Sequence, residues 1–125
     1  MTELQRPIYI TTPLYYVNDE LHIGHATTTI YADTLARFWR DCGRPVLFLT
    51  GSDEHGQKIH KAATAAGTTP RGFADKIVGK FAELWEKLDV QHDIFIRTTD
   101  PFHEATVQKV FERLKENGLL YKSGY

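Results

Sequence analysis

Ile8-Tyr9-Ile10-Thr11-Thr12-Pro13, then a helical repeat, then Val46-Leu47-Phe48-Leu49-Thr50, is the stretch that decides the fold. The first run is β-branched and aromatic, which suits a strand, and Pro13 ends it because proline brings no N–H to a ladder. Residues 14–20 read as a loop with Asn18-Asp19 as its turn. From about residue 25 to 39, Ala26, Ile30, Leu35 and Phe38 recur at helical spacing. Gly43 stands where a C-terminal cap belongs, and Pro45 bars the helix from continuing. Val46 to Thr50 is a continuous apolar run, the pattern of a strand buried on both faces.

The same alternation continues outward. Ile59, Ala62, Ala63 and Ala66 mark a short helix ending at Gly67. Thr69 and Pro70 form an N-cap followed by a first-turn proline. Behind them Phe73, Ile77, Phe81, Leu84, Trp85 and Leu88 make one apolar stripe, the strongest helix in the chain. Ile94-Phe95-Ile96 reads as a third strand. Asp100-Pro101 opens a last helix, carried by Phe102, Val110, Phe111 and Leu114 and closed by Asn117-Gly118. Strands separated by helices of this length imply βαβ crossovers, and so an α/β fold with a parallel sheet.

Composition narrows the class. The 125 residues suit one domain, with 42% hydrophobic and 25% charged residues as in ordinary globular proteins. Fifteen basic residues face sixteen acidic ones, for a net charge of −1, so no global field attracts RNA. A local patch or a further domain would have to make such a contact. Cys42 is the single cysteine, which excludes an intrachain disulfide and a thiolate zinc cluster within these residues. Residues 1–7 lack the apolar core of a secretory leader, and no run approaches the roughly 18 apolar residues of a membrane span. These features predict a soluble, cytoplasmic location without membrane partners.

In a parallel sheet, ligands bind beyond the carboxyl ends of the strands. Two polar loops leave strand ends here: residues 13–25 and residues 51–56. The first ends in His22-Ile23-Gly24-His25 at the start of a helix. A helix start offers free N–H groups and a positive dipole end to phosphate. Gly24 lets a base or phosphate approach the backbone, and the two imidazoles share one side of the first turn. Those four residues leave three readings open: nucleotide binding, a pair of metal ligands, or two incidental histidines. The second loop, Gly51-Ser52-Asp53-Glu54-His55-Gly56, places the Asp53 carboxylate at a strand end. It suits an ammonium group, but on its own Ser52 or Asp53 reads first as a cap of the next helix. Glu54 and His55 with His60 lack a third well-spaced partner for a metal.

Taken together, residues 9–18 (Tyr9-Ile10-Thr11-Thr12-Pro13-Leu14-Tyr15-Tyr16-Val17-Asn18) and Leu21-His22-Ile23-Gly24-His25-Ala26 resemble the opening of methionyl-tRNA synthetases, members of class I. The likeness continues through Phe48-Leu49-Thr50-Gly51-Ser52-Asp53-Glu54-His55-Gly56, Phe95-Ile96-Arg97-Thr98-Thr99-Asp100 and Gly118-Leu119-Leu120-Tyr121-Lys122. All class I synthetases and small nucleotidyltransferases share the histidine motif, whereas the Thr-Thr-Pro-Leu-Tyr-Tyr and Gly-Ser-Asp-Glu-His-Gly segments narrow the choice to methionine.

The resemblance implies the N-terminal half of a Rossmann-like catalytic domain over residues 1–118, with residues 119–125 beginning the family's connective insertion. It implies methionine–tRNA ligase activity: ATP, as its Mg2+ complex, and methionine give methionyl-adenylate, and the methionyl group then passes to tRNA(Met). By the same resemblance His22 and His25 are catalytic, and His22, Gly24 and His25 bind ATP. Leu14 and Tyr16 line the methionine pocket, while Asp53 takes the amino group rather than capping a helix. No zinc is expected within these residues.

The family's second motif, Lys-Met-Ser-Lys-Ser, occurs nowhere in the sequence. A fragment of a longer enzyme, with little activity of its own, is therefore expected. The competing readings are a small nucleotidyltransferase, a metal-binding α/β domain, and a non-catalytic paralogue that keeps the fold without the reaction.

Overall fold

The computed structural model describes residues 6–18 and 21–124. Asp19 of the expected Asn18-Asp19 turn lies outside the described residues, as do residues 1–5 and Tyr125. The elements run β1 (Ile8–Thr11), β2 (Tyr15–Tyr16), α1 (Ile23–Asp41), β3 (Val46–Asp53), α2 (Gln57–Ala65), α3 (Pro70–Lys87), β4 (Ile94–Arg97) and α4 (Pro101–Glu116). All strand pairs are parallel. β3 is central: β1 and then β2 pair along one of its edges, and β4 along the other. The expected parallel α/β fold is the one observed.

Three details differ from the sequence reading. First, the loop after β1 contains a short strand. β1 pairs Thr11 with Leu49, yet β2 pairs Tyr15 with Ser52, so the register slips by one residue across Thr12-Pro13-Leu14. One extra residue reverses which side chains face inward. Tyr9 and Thr11 are exposed in β1, whereas Tyr15 and Val17 are buried beyond the slip. A hydrogen bond of 2.7 Å between the Thr12 and Thr50 hydroxyls pins the chain at this step.

Second, β3 runs on to Asp53, so Gly51, Ser52 and Asp53 are strand rather than turn. Neither Ser52 nor Asp53 caps α2; the cap position is Gly56, at φ 120°, with no side-chain bond. β3 must stay extended there because β4 pairs with it as far as Ser52 opposite Arg97.

Third, the apolar spacing that predicts α1 marks its outer side. Ile30, Leu35 and Phe38 are exposed, while Thr29, Ala32, Asp33 and Ala36 are buried. Small side chains let the helix approach the sheet closely, so that Ala32 and Ala36 cluster with Phe48, flanked by Ile10 and Val46. α3 covers the neighbouring part of the same sheet face: Ala74, Ile77, Phe81 and Trp85 pack with Tyr15, Val17, Ile59 and Phe95. The other sheet face is left open, with Tyr9 60% and Tyr16 62% exposed and Leu47 and Ile94 also exposed. β3 is thus covered on one face only by the described residues. None of the α4 residues is buried, although Phe102, Val110, Phe111 and Leu114 follow helical spacing.

Caps end the helices where the sequence places them. Gly43, Gly67 and Gly118 all have φ near +70°, in the left-handed region that favours glycine. Thr69 accepts a hydrogen bond from the Gly72 N–H at 3.1 Å. A salt-bridged edge closes the end opposite the loops: Arg40 meets Asp93 at 2.8 Å, and Asp93 accepts from the Phe48 N–H at 2.7 Å.

Candidate functional site at the carboxyl ends of the strands

The first loop folds over the start of α1. His22 is the N-cap, in extended conformation, and its Nδ1 accepts from the Gly24 N–H at 3.1 Å. In return the His22 N–H donates to His25 Nδ1 at 3.2 Å. The two histidines thus form a capping box, a device more often built from Ser or Thr and Glu. It consumes N–H groups that the sequence reading left free for phosphate, because the His25 N–H also donates, to the His22 carbonyl at 3.0 Å. What it offers instead is imidazole. With both Nδ1 atoms accepting, each neutral ring carries its proton on Nε2, leaving one N–H donor on each of two rings whose centroids lie 3.9 Å apart.

Gly24 serves this arrangement directly. A Cβ there would lie 2.9 Å from His22 Cε1, so a side chain at position 24 would push the His22 ring off the helix start. Tyr15 supports the box from beneath. Its ring meets His25 edge-on at 4.9 Å, and its hydroxyl bonds to the Thr29 hydroxyl at 2.8 Å. Burial, then the neighbouring His22, push the His25 imidazole below the ordinary histidine pKa, which favours the neutral donor form.

His22, His25, Leu14 and Tyr16 line one cleft of about 450 Å³, together with Pro13, Tyr15 and Asn18. Four of the six expected site residues are therefore brought together. Asp53 pairs with Tyr16 in the ladder but opens on a separate cavity of about 460 Å³, lined also by His55, Thr98, His103 and Glu104. Gly24 contributes backbone beneath His22 and lines neither cavity.

Sequence reading missed the tightest polar cluster. The Glu54 side chain is fully buried and accepts from Arg97 Nε at 2.6 Å and Nη2 at 2.9 Å. It also accepts from the Ser52 hydroxyl at 2.6 Å and the Thr99 hydroxyl. Arg97 in turn reaches Asp75 of α3 at 2.6 Å. Burial pushes the Glu54 carboxyl up, but the bonds from Arg97, Ser52 and Thr99 outweigh it and hold Glu54 below its ordinary value. Arg97 is held above its own, first by Glu54. Glu54 stands two residues from Ser52, just past the end of β3, a spacing visible in the sequence. That Arg97 and Thr99 face it is not visible there. Among the described residues no group of three His, Cys, Asp or Glu side chains is arranged to hold a metal ion.

The pattern of class I tRNA synthetases of the M type matches residues 8–125. The chain belongs to the methionyl class I tRNA synthetases. Its similarity to a methionine–tRNA ligase of Thermotoga maritima is 55% identity over 117 residues, 94% of this chain and 19% of that one. With the methionine–tRNA ligase of Caldanaerobacter subterraneus subsp. tengcongensis it shares 51% over 122 residues, 98% of this chain and 19% of the relative. The chain thus spans about a fifth of the length of the curated relatives it matches. Among solved structures, Mycobacterium tuberculosis methionyl-tRNA synthetase in complex with methionyl-adenylate superposes with a TM-score of 0.88 at 39% identity. That match covers 91% of this chain and 22% of the other.

In this methionyl-tRNA synthetase segment the matched region is the N-terminal, catalytic portion of the family, carrying both loops described above. No helix among the described residues is long and apolar enough to cross a membrane.

Proposed function

We propose that this chain supplies the ATP- and methionine-binding half of a methionine–tRNA ligase active site. The observation that carries the reading is the single cleft shared by the two histidines of the helix start with Leu14 and Tyr16, beside Asp53 at the next strand end. In the reaction a methionine carboxylate oxygen bonds to the α-phosphorus of ATP, and the bond to the bridging oxygen breaks to release pyrophosphate. Negative charge builds on the phosphate oxygens as it does so. His22 and His25 meet that charge with their Nε2–H donors, an alignment fixed in advance by the capping box. ATP arrives as its Mg2+ complex, held by its own phosphates.

Leu14 and Tyr16 give the thioether an apolar and aromatic surface. Asp53 pairs with the methionine ammonium through a charge-assisted bond. The methionyl group then passes to the 3′-terminal adenosine of tRNA(Met), through the full-length enzyme and in the cytoplasm. In this reading residues 1–118 form the N-terminal part of the Rossmann-like domain, and residues 119–125 begin the connective insertion.

The test is methionine-dependent ATP–pyrophosphate exchange in a full-length methionine–tRNA ligase carrying this segment. His22→Ala or His25→Ala is expected to lower kcat by roughly 100-fold, the usual loss for one donor to a developing oxyanion. Unchanged adenylate formation in both variants would sink the assignment. The 125-residue chain assayed by itself is expected to give no measurable exchange, and robust exchange would show that no lysine motif is needed.

A further inference from the structure

We infer that Glu54, clamped by Arg97, is a positioning residue that aims Asp53 at the substrate's amino group. This rests on the proposed role of Asp53 and adds the device that makes it specific.

Side chains alternate along a strand. Ser52 and Asp53 therefore point to opposite faces of β3, Ser52 buried and Asp53 half exposed. Glu54, the residue after the strand, lies buried on the Ser52 side, where its carboxylate accepts from the Ser52 hydroxyl at 2.6 Å. The side chains on either side of Asp53 are both tied, and so is backbone beside it. Ser52 donates to Glu54, and its carbonyl accepts from the Thr98 N–H at 3.2 Å. The Glu54 N–H donates to the Thr98 hydroxyl at 2.8 Å, and the Glu54 carboxylate accepts from Arg97, Ser52 and Thr99. Arg97 extends the clamp to Asp75 on α3, while its N–H donates to Asp100 at 3.1 Å, the residue that precedes α4. β4 is thus locked to the neighbours of Asp53, and through Arg97 so are Asp75 of α3 and Asp100 at the start of α4. The Asp53 carboxylate itself has no hydrogen bond or ion pair among the described residues. It faces the cavity of about 460 Å³ beside Thr98, His103 and Glu104.

A free carboxylate between two fixed residues is what ammonium recognition requires. Its backbone cannot swing, and its oxygens are not spent on a protein partner. Recognition groups work when held within roughly 0.5 Å of the productive place by a supporting layer of bonds. Stability is a weak reason for such a cluster, because buried ion pairs are often no better than well-packed apolar groups. Geometry is the stronger reason. Of the two carboxylates lining the cavity, Asp53 and Glu104, it is Asp53 that stands between two residues of the buried cluster.

The experiment uses ATP–pyrophosphate exchange in a full-length methionine–tRNA ligase carrying this segment, with Asp53→Asn, Glu54→Gln and Arg97→Lys. Arg97→Lys keeps the charge and loses the two-pronged fork. Glu54→Gln is expected to raise the methionine KM by roughly 10-fold while the ATP KM stays within about twofold. The inhibition constant of the methionine analogue lacking the amino group should not move, because that ligand never meets Asp53. Asp53→Asn should show the same pattern more strongly. If Glu54→Gln fails to fold, judged by circular dichroism, Arg97→Lys carries the same expectation.

A raised methionine KM in Asp53→Asn with wild-type values in both clamp variants overturns the positioning role alone. An unchanged methionine KM in Asp53→Asn overturns the amino-acceptor reading beneath it. A uniform fall in kcat, or equal weakening of methionine and its desamino analogue, makes the clamp merely structural and also overturns the inference.

Discussion

Replacing Gly51 with alanine is expected to cost the fold about 3 kcal/mol or more, the upper end of what overpacking does. A Cβ at Gly51 would overlap the carbonyl oxygen of Ile96 and lie 2.7 Å from Ile96 Cγ2. The first obstacle is backbone, so no change of side-chain rotamer relieves it. Gly51 and Ile96 are ladder partners, and pushing them apart strains the pairing from Leu49 opposite Ile94 to Ser52 opposite Arg97. Whole domains are stable by only roughly 5–15 kcal/mol, so such a loss is a large fraction. Urea unfolding of the chain reads it as a lower midpoint. Gly79→Ala is the matched comparison: the position is exposed within α3, nothing lies within 4 Å of the added methyl, and a gain of roughly 0.5–1 kcal/mol is expected. If Gly51→Ala unfolds at the wild-type midpoint, β3 and β4 do not approach as described.

Arg97→Met is expected to have the second large effect, a loss of roughly 3–5 kcal/mol at neutral pH, because it strands the buried Glu54 carboxylate. Its pH dependence identifies the cause. In the wild type Glu54 is held below its ordinary value of 4.5, so its contribution is complete above that pH and is lost as pH falls through the lowered value. In the variant, burial acts without Arg97 and pushes the carboxyl up instead, so acid neutralises the stranded charge. The stability gap between the two proteins should therefore narrow as pH drops toward 4. Adding Glu54→Gln to Arg97→Met should recover part of the loss at pH 7. A gap that stays constant with pH, with no recovery in the double variant, would mean that the Arg97 stem rather than its charge supports the fold.

Both predictions concern the end of β3, and that is where sequence and structure diverge most usefully. Residues 51–56 read as a loop, yet Gly51 lies in β3 and only Gly56, the residue before α2, has a positive φ. Gly51 is needed for strand-to-strand approach, which depends on Ile96, a residue 45 positions away that no local rule connects to it. Glu54 looked like an odd member of a metal set, because its partners Arg97 and Thr99 arrive by a parallel pairing formed after two intervening helices. The histidine motif was the opposite case. Its spacing, its glycine and its place at a helix start were all legible, and the resemblance to methionyl-tRNA synthetases followed from its flanks. Only its hydrogen bonding was hidden, since which ring nitrogen faces which N–H depends on side-chain torsions.

By itself the sequence determined the order of the helices and of the three longer strands, the parallel sheet, the glycine stops and the family, because each rests on local preference or on short motifs; the short β2 was not among them. Tertiary structure decided which faces are buried. Ile30, Leu35 and Phe38 have helical spacing, yet α1 turns its small Thr29, Ala32, Asp33 and Ala36 face to the sheet. Periodicity reports that a helix has an apolar side, whereas contact with the sheet depends on which side permits close approach. The one-residue slip at Pro13, which turns Tyr15 inward beneath His25, was likewise settled by pairing with β3. Strand register belongs to two chain segments at once, so neither segment specifies it alone. The candidate site depends on that slip: it puts Tyr15 under the histidines and leaves Tyr16 in the cleft, opposite Asp53.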